Sequence, residues 1–579
     1  MTRSAPDAAA PAAAPDTAGP RRRSRAALAL LLASAVLLPG CTAVQEESPP
    51  QEAPTTSAPA PSPPPTATPE QTTPARSTLA AGGVSSGHPL ASEAGAEVLR
   101  RGGTAGDAAV AAAFADAVIT PPTSGIGGGG VALVAVDGQV TSYDYREVVN
   151  EAGSVPGSGT GIPGFVAGLQ RLHADHGALP WADVLAPAIR LAREGTPVSG
   201  FLAGTIVSGG GQRATGGLAQ FQRPGGGLLR EGDVLVQQEL ADTMQVIADA
   251  GADAVYRGDL VPALTTSAGV DADSLAAYEV VLPEPAAGPL GDYRLVSAAP
   301  PHPGAAVVQT AQIAEDGGIG QLEPGSAAFV DLQTRAWRVA EEEVQRSLGD
   351  PAFTDVPVAE ITDPDRNAAI AADLGLAPPP GEDPSGDEGP DEEEPGSTTH
   401  ISVVDADGRA VSMTNTLTAF WGSGQEVGGF FLNNSLGRFG AIGTGSANVP
   451  SPGRRSATWS APTMVLDRED RPVLVVGTPG GSVIPSVTTT VVLRWALHGE
   501  DLAEVVPADR FFYREGAVTV EDAGLVGPVS ALGWRTQTLP SAQRETFGSV
   551  QALAVDWESG EVSGVADDRR SAGVAFEAP

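Results

Sequence analysis

Apolar residues recur along this chain with two periods, one typical of amphipathic or buried helices and one typical of strands. Between them lie glycine, proline and aspartate clusters that predict turns. Helices are predicted in "HPLASEAGAEVLRRGG", "DAAVAAAFADAVI", "PGFVAGLQRLHADHG", "LPWADVLAPAIRLAREG", "QQELADTMQVIADAG" and "SVTTTVVLRWAL". Strands are predicted in "VALVAVDGQVTSYDYRE", turned at Asp137-Gly138, in "HISVVDADGRAVSMTNTL", turned at Asp407-Gly408, and in "APTMVL", "RPVLVVG" and "VQALAVDWESGEVSGVAD". Since helices and strands mix in both halves, the pattern indicates an α+β or layered α/β body.

Two segments interrupt this pattern. Residues 42–78 are mostly proline, threonine, alanine and serine, and they predict a disordered, solvated linker. Residues 377–397, "APPPGEDPSGDEGPDEEEPGS", predict a second disordered linker that is strongly acidic. The first linker precedes the body, and the second divides it into a larger region, 79–376, and a smaller one, 398–579.

The first 41 residues have the layout of an export signal. A basic stretch precedes an apolar run that is too short to span a bilayer comfortably, and Leu-Pro-Gly-Cys follows, ending at Cys41. This resembles a bacterial lipoprotein signal, in which the cysteine is lipidated and becomes the first mature residue. We therefore expect an exported protein, lipid-anchored to the outer face of the bacterial cell membrane. An ordinary secretory signal with a chance cysteine is the alternative.

Composition excludes several function classes. The formal net charge of −36 makes nucleic-acid binding unfavourable, because phosphates would be repelled. The sequence contains no lysine, so a lysine Schiff base and a P-loop lysine are excluded. One cysteine permits no intramolecular disulfide and no cysteine-built metal site, and the six histidines lack metal-binding spacing. No metal and no organic cofactor are expected.

The glycine run "GIGGGG", Gly125 to Gly130, matches the letters of a dinucleotide-binding motif. That motif requires a strand before the glycines and a helix after them. Here the predicted helix comes first and the strand follows. The run therefore predicts close approach of backbones in the core rather than nucleotide binding.

Thr398 stands directly after the acidic linker and at the start of a predicted strand. A threonine hydroxyl needs a neighbouring base to act as a nucleophile, and a free α-amine, with a pKa of about 7.7–8.0, can serve. An internal threonine gains that amine only if the chain is cut before it. A solvated linker would let the preceding segment move away. An inter-domain linker followed by a polar strand start remains the alternative from the pattern alone.

A series of segments, in order over most of the chain, is similar to the γ-glutamyltranspeptidase family. The segments are "SSGHPLASEAGAEVLRRGGTAGDAAVAAA", "SGIGGGG", "DYRE", "GIPGFVAGL", "LPWADVLAPAIRLAREG", "LGDPAFTDVPV", "TTHISVVDADGRAVSMTNTL", "LNN", "APTMVL" and "GTPGGS". The resemblance implies the N-terminal-nucleophile hydrolase fold, a four-layer αββα sandwich formed by two subunits from one autoprocessed precursor. It also implies scission between Ser397 and Thr398.

The resemblance implies roles for individual residues. Thr398 would be the nucleophile and its own amine the base, while Thr416 would form a hydrogen bond near that amine. Gly480 and Gly481 would donate backbone N–H groups to the oxyanion. Arg146 would hold the α-carboxylate of a glutamyl donor, a task suited to a planar guanidinium.

Other substrate-binding positions depart from the family's pattern. Where the family has an asparagine, a glutamine, an aspartate and a pair of serines, this chain has Thr418, Ser435, Arg438, Thr458 and Trp459. The segment 299–305, "APPHPGA", is also altered, and the loop 439–446 is short.

Arg438 replaces the aspartate that would hold the donor's α-ammonium group. Two like charges about 4 Å apart repel by about 4 kcal/mol at an effective dielectric constant of 20. This favours a donor without an α-ammonium group, such as a glutaryl-like or other dicarboxylic acyl amide. A neighbouring acid that restores ordinary γ-glutamyl specificity is the alternative.

The expected function is that of a γ-glutamyltranspeptidase-like threonine amidase and acyltransferase. It would cleave small γ-glutamyl or related acyl amides, such as glutathione, and transfer the acyl group to water or an amine. Its expected partners are its own large and small subunits, as a heterodimer, and the membrane through its lipid anchor. The alternatives are an acylase for glutaryl-like donors and a non-catalytic envelope lipoprotein that keeps the fold.

Overall fold

The computed structural model describes residues 79–374, 397–442 and 447–578. The predicted signal peptide with Cys41, the linker 42–78 and residues 377–396 of the acidic linker lie outside the described residues, as do positions 443–446 of the short loop. Ser397, assigned from the sequence to the linker, is the first residue of a buried strand. Among the described helices, none combines the length and the apolar character needed to cross a membrane.

Helices and strands alternate throughout the described residues. The strands are β1 Gly83–Ser86, β2 Gly129–Val136, β3 Gln139–Asp144, β4 Thr196–Pro197, β5 Val234–Leu235, β6 Ala286–Leu290, β7 Tyr293–Ser297, β8 Ser397–Val404, β9 Ala410–Thr418, β10 Glu426–Val427, β11 Phe430–Phe431, β12 Thr463–Leu466, β13 Pro472–Gly477, β14 Phe511–Arg514, β15 Ala517–Val520, β16 Thr536–Thr538, β17 Gln551–Asp556, β18 Glu561–Gly564 and β19 Gly573–Phe576. The α-helices are α1 Pro89–Arg100, α2 Ala105–Ile119, α3 Phe165–His176, α4 Trp181–Glu194, α5 Gly200–Val207, α6 Gly209–Thr215, α7 Gln238–Ala250, α8 Asp253–Tyr256, α9 Val261–Leu264, α10 Ala272–Ala276, α11 Gly304–Asp316, α12 Ala327–Ser347, α13 Val358–Ile361, α14 Pro364–Asp373, α15 Ile484–His498, α16 Leu502–Val505 and α17 Val526–Ala531.

The helices and both hairpins predicted from the apolar periodicity are confirmed. Asp137 and Gly138, between β2 and β3, both have positive φ angles, of 51° and 79°. Such a pair is typical of the tight turn whose twist matches that of the flanking strands. In the β8–β9 hairpin, Gly408 alone has a positive φ, of 79°.

Two six-stranded antiparallel sheets form the centre of the fold. The strand order is β19-β1-β8-β9-β2-β3 in the first sheet and β18-β17-β13-β12-β7-β6 in the second. The sheets face each other, and apolar side chains such as Leu133, Met464 and Leu553 fill the space between them. Helices α1 and α2 cover the outer face of the first sheet, and α11 and α15 pack on the second. The expected four layers, αββα, are present.

Helix α2 positions the segment that follows it beside the start of β8. Thr104 and Asp107 form a capping box at its first turn, which satisfies backbone N–H groups there. All fifteen of its residues are buried, and twelve are alanine, valine, isoleucine or phenylalanine. A helix that is apolar on every side belongs inside the protein. Its last turn therefore ends in the core, and residues 120–124 continue from it there.

Candidate active site around Thr398

Thr398 lies at an irregularity between two central strands of the first sheet. Ser397 pairs with Thr418 and Thr399 pairs with Asn415, so the β8–β9 register shifts across Thr398. This shift is a β-bulge with one extra residue on β9. Thr418 has a φ of 86°, which is sterically costly for a β-branched residue. Backbone strain of this kind is concentrated at functional sites.

The hydroxyl group of Thr416 connects the predicted nucleophile with the predicted scissile bond. Its hydrogen is donated to the carbonyl oxygen of Ser397. Its oxygen lies 3.3 Å from the hydroxyl oxygen of Thr398 and accepts the backbone N–H of Thr418 at 2.8 Å. Because Thr416 has only one hydroxyl hydrogen, Thr398 is the donor in their contact. The arrangement polarises the Ser397 carbonyl and holds the Thr398 hydroxyl close to it.

Three residues after α2, which the sequence did not single out, anchor the same strand. The Ser397 hydroxyl donates to the carbonyl oxygens of Pro122, at 2.8 Å, and Thr123, at 3.0 Å. The Thr399 hydroxyl donates to Ser124 Oγ at 3.0 Å. Both residues that flank Thr398 are therefore fixed by side-chain hydrogen bonds. The sequence did not indicate this role, because a proline, a threonine and a serine between a helix and a glycine run are typical of an ordinary connecting loop.

The glycine run lies against the backbones of β9 and β11, which confirms the close backbone approach predicted for it. A Cβ atom on Gly128 would lie 2.3 Å from the carbonyl oxygen of Thr416. A Cβ on Gly127 would lie 2.1 Å from the carbonyl oxygen of Phe431. Because real Cβ atoms do not approach that closely, only glycine fits. The run allows β9 and β11 to pack against the backbone after α2.

A small cavity brings most of the predicted site residues together. It is lined by Thr398, Thr416, Thr418, Arg438, Thr458, Trp459, Ser460, Gly481 and Ile484. Its free volume is about 10 Å³, which is room for about one water molecule. In the uncut chain it is therefore too small for an acyl amide. Ser460 and Ile484 were not predicted, although both lie within three residues of predicted positions.

The predicted oxyanion site adjoins this cavity at the start of α15. Gly480 and Gly481 have φ angles of 148° and 65°, a region that favours glycine. Gly481 begins a short 3₁₀ turn to Val483, and α15 follows at Ile484. Backbone N–H groups at a helix start carry partial positive charge. Gly481 lines the cavity, whereas Gly480 is not among its lining residues.

Arg146 is fully buried and is not among the residues that line the cavity. Its Nη2 donates to Ser456 Oγ at 2.9 Å, and the Ser456 hydroxyl donates to the carbonyl oxygen of Ser435 at 2.9 Å. Its Nε lies 3.4 Å from Glu147 Oε2. Arg146 thereby supports the segment that carries Ser435. The role of Arg146 as a carboxylate ligand stays a prediction.

Buried charges surround Arg146 on several sides. Burial lowers the pKa of Arg146, the carboxylates of Glu147 and Asp144 oppose that shift, and the positive charges of Arg438 and Arg455 add to it. Burial also raises the pKa of Glu147, against the effect of Arg146. Two further guanidinium groups, those of Arg438 and Arg455, therefore lie near Arg146.

The altered segment 299–305 supplies a buried histidine near this cluster. His302 Nδ1 lies 3.0 Å from the carbonyl oxygen of Ala299, and Nε2 has no hydrogen-bond partner in the described part of the chain. Burial and the charge of Arg146 lower the pKa of His302. Across the described ranges, no group of three or more histidine, cysteine, aspartate or glutamate side chains could hold a metal ion.

Comparison with a solved structure identifies the fold class. The crystal structure of cephalosporin acylase from Bacillus halodurans matches with a TM-score of 0.76 and 24% identity, covering 86% of this chain and 96% of that one. The facing sheets and outer helices of this chain are therefore arranged as in that acylase.

Sequence comparison identifies the family of the chain. The chain belongs to the gamma-glutamyltranspeptidase family, whose family model matches residues 91–577. The capsule biosynthesis protein CapD proenzyme of Bacillus anthracis is 32% identical over 493 residues, which are 84% of this chain and 89% of that protein. The glutathione hydrolase proenzyme of Bacillus subtilis strain 168 is 31% identical over 538 residues, with 85% and 90% covered.

Proposed function

We propose that this protein is a self-cleaving threonine amidase and acyltransferase, with Thr398 as the residue that performs both reactions. The observation that carries the proposal is the hydrogen bond from Thr416 to the Ser397 carbonyl, with the Thr398 hydroxyl 3.3 Å from the Thr416 oxygen. The proenzyme names of the two relatives agree with processing of this kind.

Processing begins when Thr398 Oγ attacks the carbonyl carbon of Ser397. The C–N bond of the Ser397–Thr398 peptide breaks, the nitrogen receives the hydroxyl proton, and Ser397 is left as an ester on Thr398. Water then hydrolyses the ester, giving a carboxylate on Ser397 and restoring the Thr398 hydroxyl. The product carries a free α-amine next to its own nucleophile.

Amide cleavage uses the same hydroxyl group. The α-amine accepts the proton of Thr398 Oγ as this oxygen attacks the substrate's amide carbonyl. The N–H groups of Gly480 and Gly481 stabilise the oxyanion, and one such donor contributes roughly 2.7–4 kcal/mol in the transition state. The departing amine takes the proton, and an acyl-enzyme ester remains. Water or a second amine then releases the acyl group.

Arg438 favours an acyl group with a carboxylate and no α-ammonium group. Arg438 lines the Thr398 cavity, and the nearby buried cluster contains Arg146 and Arg455 together with the carboxylates of Glu147 and Asp144. A cation about 4 Å from the Arg438 guanidinium would be repelled by about 4 kcal/mol at an effective dielectric constant of 20, whereas a carboxylate would be attracted. Glutaryl amides are the simplest such donors. Ordinary γ-glutamyl amides, including glutathione, are the second candidate because of the family.

Two substrates and three variants test this proposal. Purified processed protein is assayed with glutaryl-p-nitroanilide and γ-glutamyl-p-nitroanilide, and we expect the glutaryl compound to react faster. Arg438→Asp should reverse the preference, while Arg468→Asp, on an exposed arginine paired with Asp292, should not. Thr398→Ala should remain one uncut chain without activity. A processed protein that hydrolyses neither compound would favour a non-catalytic envelope protein.

We further propose that Cys41 carries a lipid that anchors the protein outside the cell membrane. Support comes from the position of this sole cysteine after the apolar run of the signal. Wild-type protein should partition into the detergent phase of Triton X-114, and Cys41→Ser should remain in the aqueous phase. Equal partitioning of both would contradict lipidation at this residue.

A further inference from the structure

The two glycines predicted to bind the oxyanion lie on a turn that runs beside a second segment of the chain. Strand β13 ends at Gly477 and strand β17 begins at Gln551, and these two residues pair in the antiparallel second sheet. Residues 478–481, which leave β13, therefore run next to residues 547–550, which enter β17. We call 478–481 the oxyanion turn and 547–550 the supporting segment.

Thr478 connects the oxyanion turn with the supporting segment. Its side chain is buried, with 1% of its surface exposed. Its hydroxyl donates to the carbonyl oxygen of Pro479 at 2.8 Å and accepts the backbone N–H of Ser549 at 2.9 Å. The single hydroxyl hydrogen is thus donated within the turn, while the hydroxyl oxygen is held by the supporting segment.

The carbonyl group that Thr478 holds belongs to the same peptide unit as the Gly480 N–H. That peptide bond is trans, and a trans peptide is planar, so its C=O and N–H groups point in opposite directions. A hydrogen bond to the Pro479 oxygen therefore fixes the direction of the Gly480 N–H. Glycines at 480 and 481 do not restrict the backbone by themselves, so this constraint has to come from a neighbouring group.

Gly548 brings the supporting segment into direct contact with this peptide unit. It has a φ of 80°, and a Cβ atom on it would lie 2.5 Å from Thr478 Oγ1 and 2.9 Å from the Pro479 carbonyl oxygen. Only glycine fits at that distance. The Thr478 hydroxyl and the Pro479 carbonyl therefore have no room to turn toward the supporting segment.

Two buried residues of opposite charge hold the ends of the supporting segment. Arg510 Nη1 donates to the carbonyl oxygen of Phe547 at 3.1 Å, and the backbone N–H of Val550 donates to Asp567 Oδ2 at 2.7 Å. Arg510 and Asp567 are also hydrogen-bonded to each other. Charge-assisted hydrogen bonds of this kind are strong and directional. Ser549, which lies between the two ends, is thereby fixed where its N–H meets Thr478.

We propose that Thr478 is a positioning residue for amide cleavage, and that its hydroxyl directs the Gly480 N–H toward the developing oxyanion. A donor that is oriented before the reaction stabilises the transition state without any cost of reorganisation. The inference rests on the proposed function for the covalent step and adds the group that holds its oxyanion donor. It does not extend to self-cleavage, because Thr416 is the residue that contacts the Ser397 carbonyl.

Kinetics of two Thr478 variants test this role on glutaryl-p-nitroanilide and γ-glutamyl-p-nitroanilide. Thr478→Val should lower kcat about 10- to 100-fold and leave KM and self-cleavage unchanged, because the oxyanion forms only in the transition state. Thr478→Ser should keep nearly the wild-type kcat. Thr489→Val, which removes a buried hydroxyl bonded to the Pro485 carbonyl in α15, is the matched control. A wild-type kcat for Thr478→Val, or a parallel loss of self-cleavage, would overturn the proposal.

The orientation of the peptide unit can be determined without turnover. In crystal structures of the processed proteins, we expect the Pro479 carbonyl to accept from Thr478 in the wild type and to be rotated in Thr478→Val. If wild-type protein cleaves neither compound but the peptide rotates in the variant, the proposed function fails and the positioning by Thr478 stands. If wild-type protein is active, an unrotated peptide and an unchanged kcat in the variant leave the proposed function standing. An unrotated peptide overturns the role of Thr478 in either case.

Discussion

The single hydroxyl hydrogen of Thr416 decides how the uncut chain is arranged at Thr398. Thr416 donates this hydrogen to the Ser397 carbonyl oxygen. The Thr398 hydroxyl must therefore be the donor in its contact with the Thr416 oxygen. Thr416 thus contacts both groups that would react in the proposed processing. We therefore expect Thr416 to act as a positioning residue for that step.

We expect Thr416→Val to slow processing by about 10²- to 10³-fold, because it removes a hydrogen-bond donor to a carbonyl that gains charge in the transition state. Thr416→Ser, which keeps the hydroxyl, should process at nearly the wild-type rate. Denaturing electrophoresis of newly expressed protein over time measures the cleaved fraction. Thr310→Val removes a buried hydroxyl bonded within α11 and is the matched control. Unchanged processing of Thr416→Val would refute this role.

His400 provides a pH-dependent prediction at the same scale. Its side chain is fully buried, and Nδ1 lies 2.8 Å from Thr414 Oγ1 and Nε2 3.2 Å from Ser402 Oγ. Burial lowers the pKa of His400 to about 3, against about 6.5 in an unfolded chain. Between these values the unfolded state binds a proton that the folded state does not. The contribution of His400 to stability therefore decreases as pH falls below about 6.5.

The comparison is made between the free energies of unfolding of the Thr398→Ala chain with and without His400→Gln. We expect the difference between them to change by up to about 1.4 kcal/mol per pH unit from about pH 6 to pH 4. The chain that keeps His400 should lose stability relative to the His400→Gln chain as the pH falls. Urea unfolding at several pH values measures it. Parallel pH profiles would mean that folding does not lower the pKa of His400.

At the scale of elements, the close packing of the glycine run against β9 is the feature that secures the bulge. Because helix α2 is buried along its whole length, the glycine run that follows it begins in the core. Gly128 has no side chain, so the backbone of Thr416 can approach it closely. The sequence predicted the close approach from the reversed order of helix and strand. It did not predict which strand would be approached, because β9 comes from nearly 300 residues further along the chain.

Gly128→Ala should destabilise the protein by about 1–3 kcal/mol, because the added methyl group would lie 2.3 Å from the Thr416 carbonyl oxygen. It should also slow processing, since any relief shifts the Thr416 backbone. Gly157→Ala is the control, because nothing lies within 4 Å of its added Cβ. Urea unfolding in the Thr398→Ala background gives the first effect, and electrophoresis of otherwise wild-type protein gives the second. A stable, fully processed Gly128→Ala protein would contradict the packing argument.

At the scale of the whole molecule, cutting before Thr398 would leave two chains whose strands share one sheet. In the order β19-β1-β8-β9-β2-β3, strands β1, β2 and β3 precede the cut, and the others follow it or begin at it. Strand β8 would stay hydrogen-bonded to β1 on one side and to β9 on the other. The two products should therefore form one stable heterodimer.

An affinity tag at the C-terminus tests this expectation. Under native conditions it should retain both fragments in equal amounts, and in 8 M urea it should retain only residues 398–579. Strong salt should not separate them, because the interface is built from backbone hydrogen bonds and buried apolar groups. Loss of the larger fragment in a native wash would show that the shared sheet does not hold the chains together.

The local sequence determined the elements and their turns, because periodicity, capping residues and glycines act over a few positions. The ordered motifs also indicated the family, which is confirmed, and through it they predicted Thr398 as the nucleophile. Only the tertiary structure decided what surrounds Thr398. The hydrogen bond from Thr416 to Ser397 joins residues 19 positions apart, and the bonds from Ser397 to Pro122 and Thr123 join residues 275 and 274 positions apart. The complete burial of Arg146 was likewise decided by the tertiary structure. Side-chain contacts of that range depend on how sheets and helices pack, which no local pattern encodes.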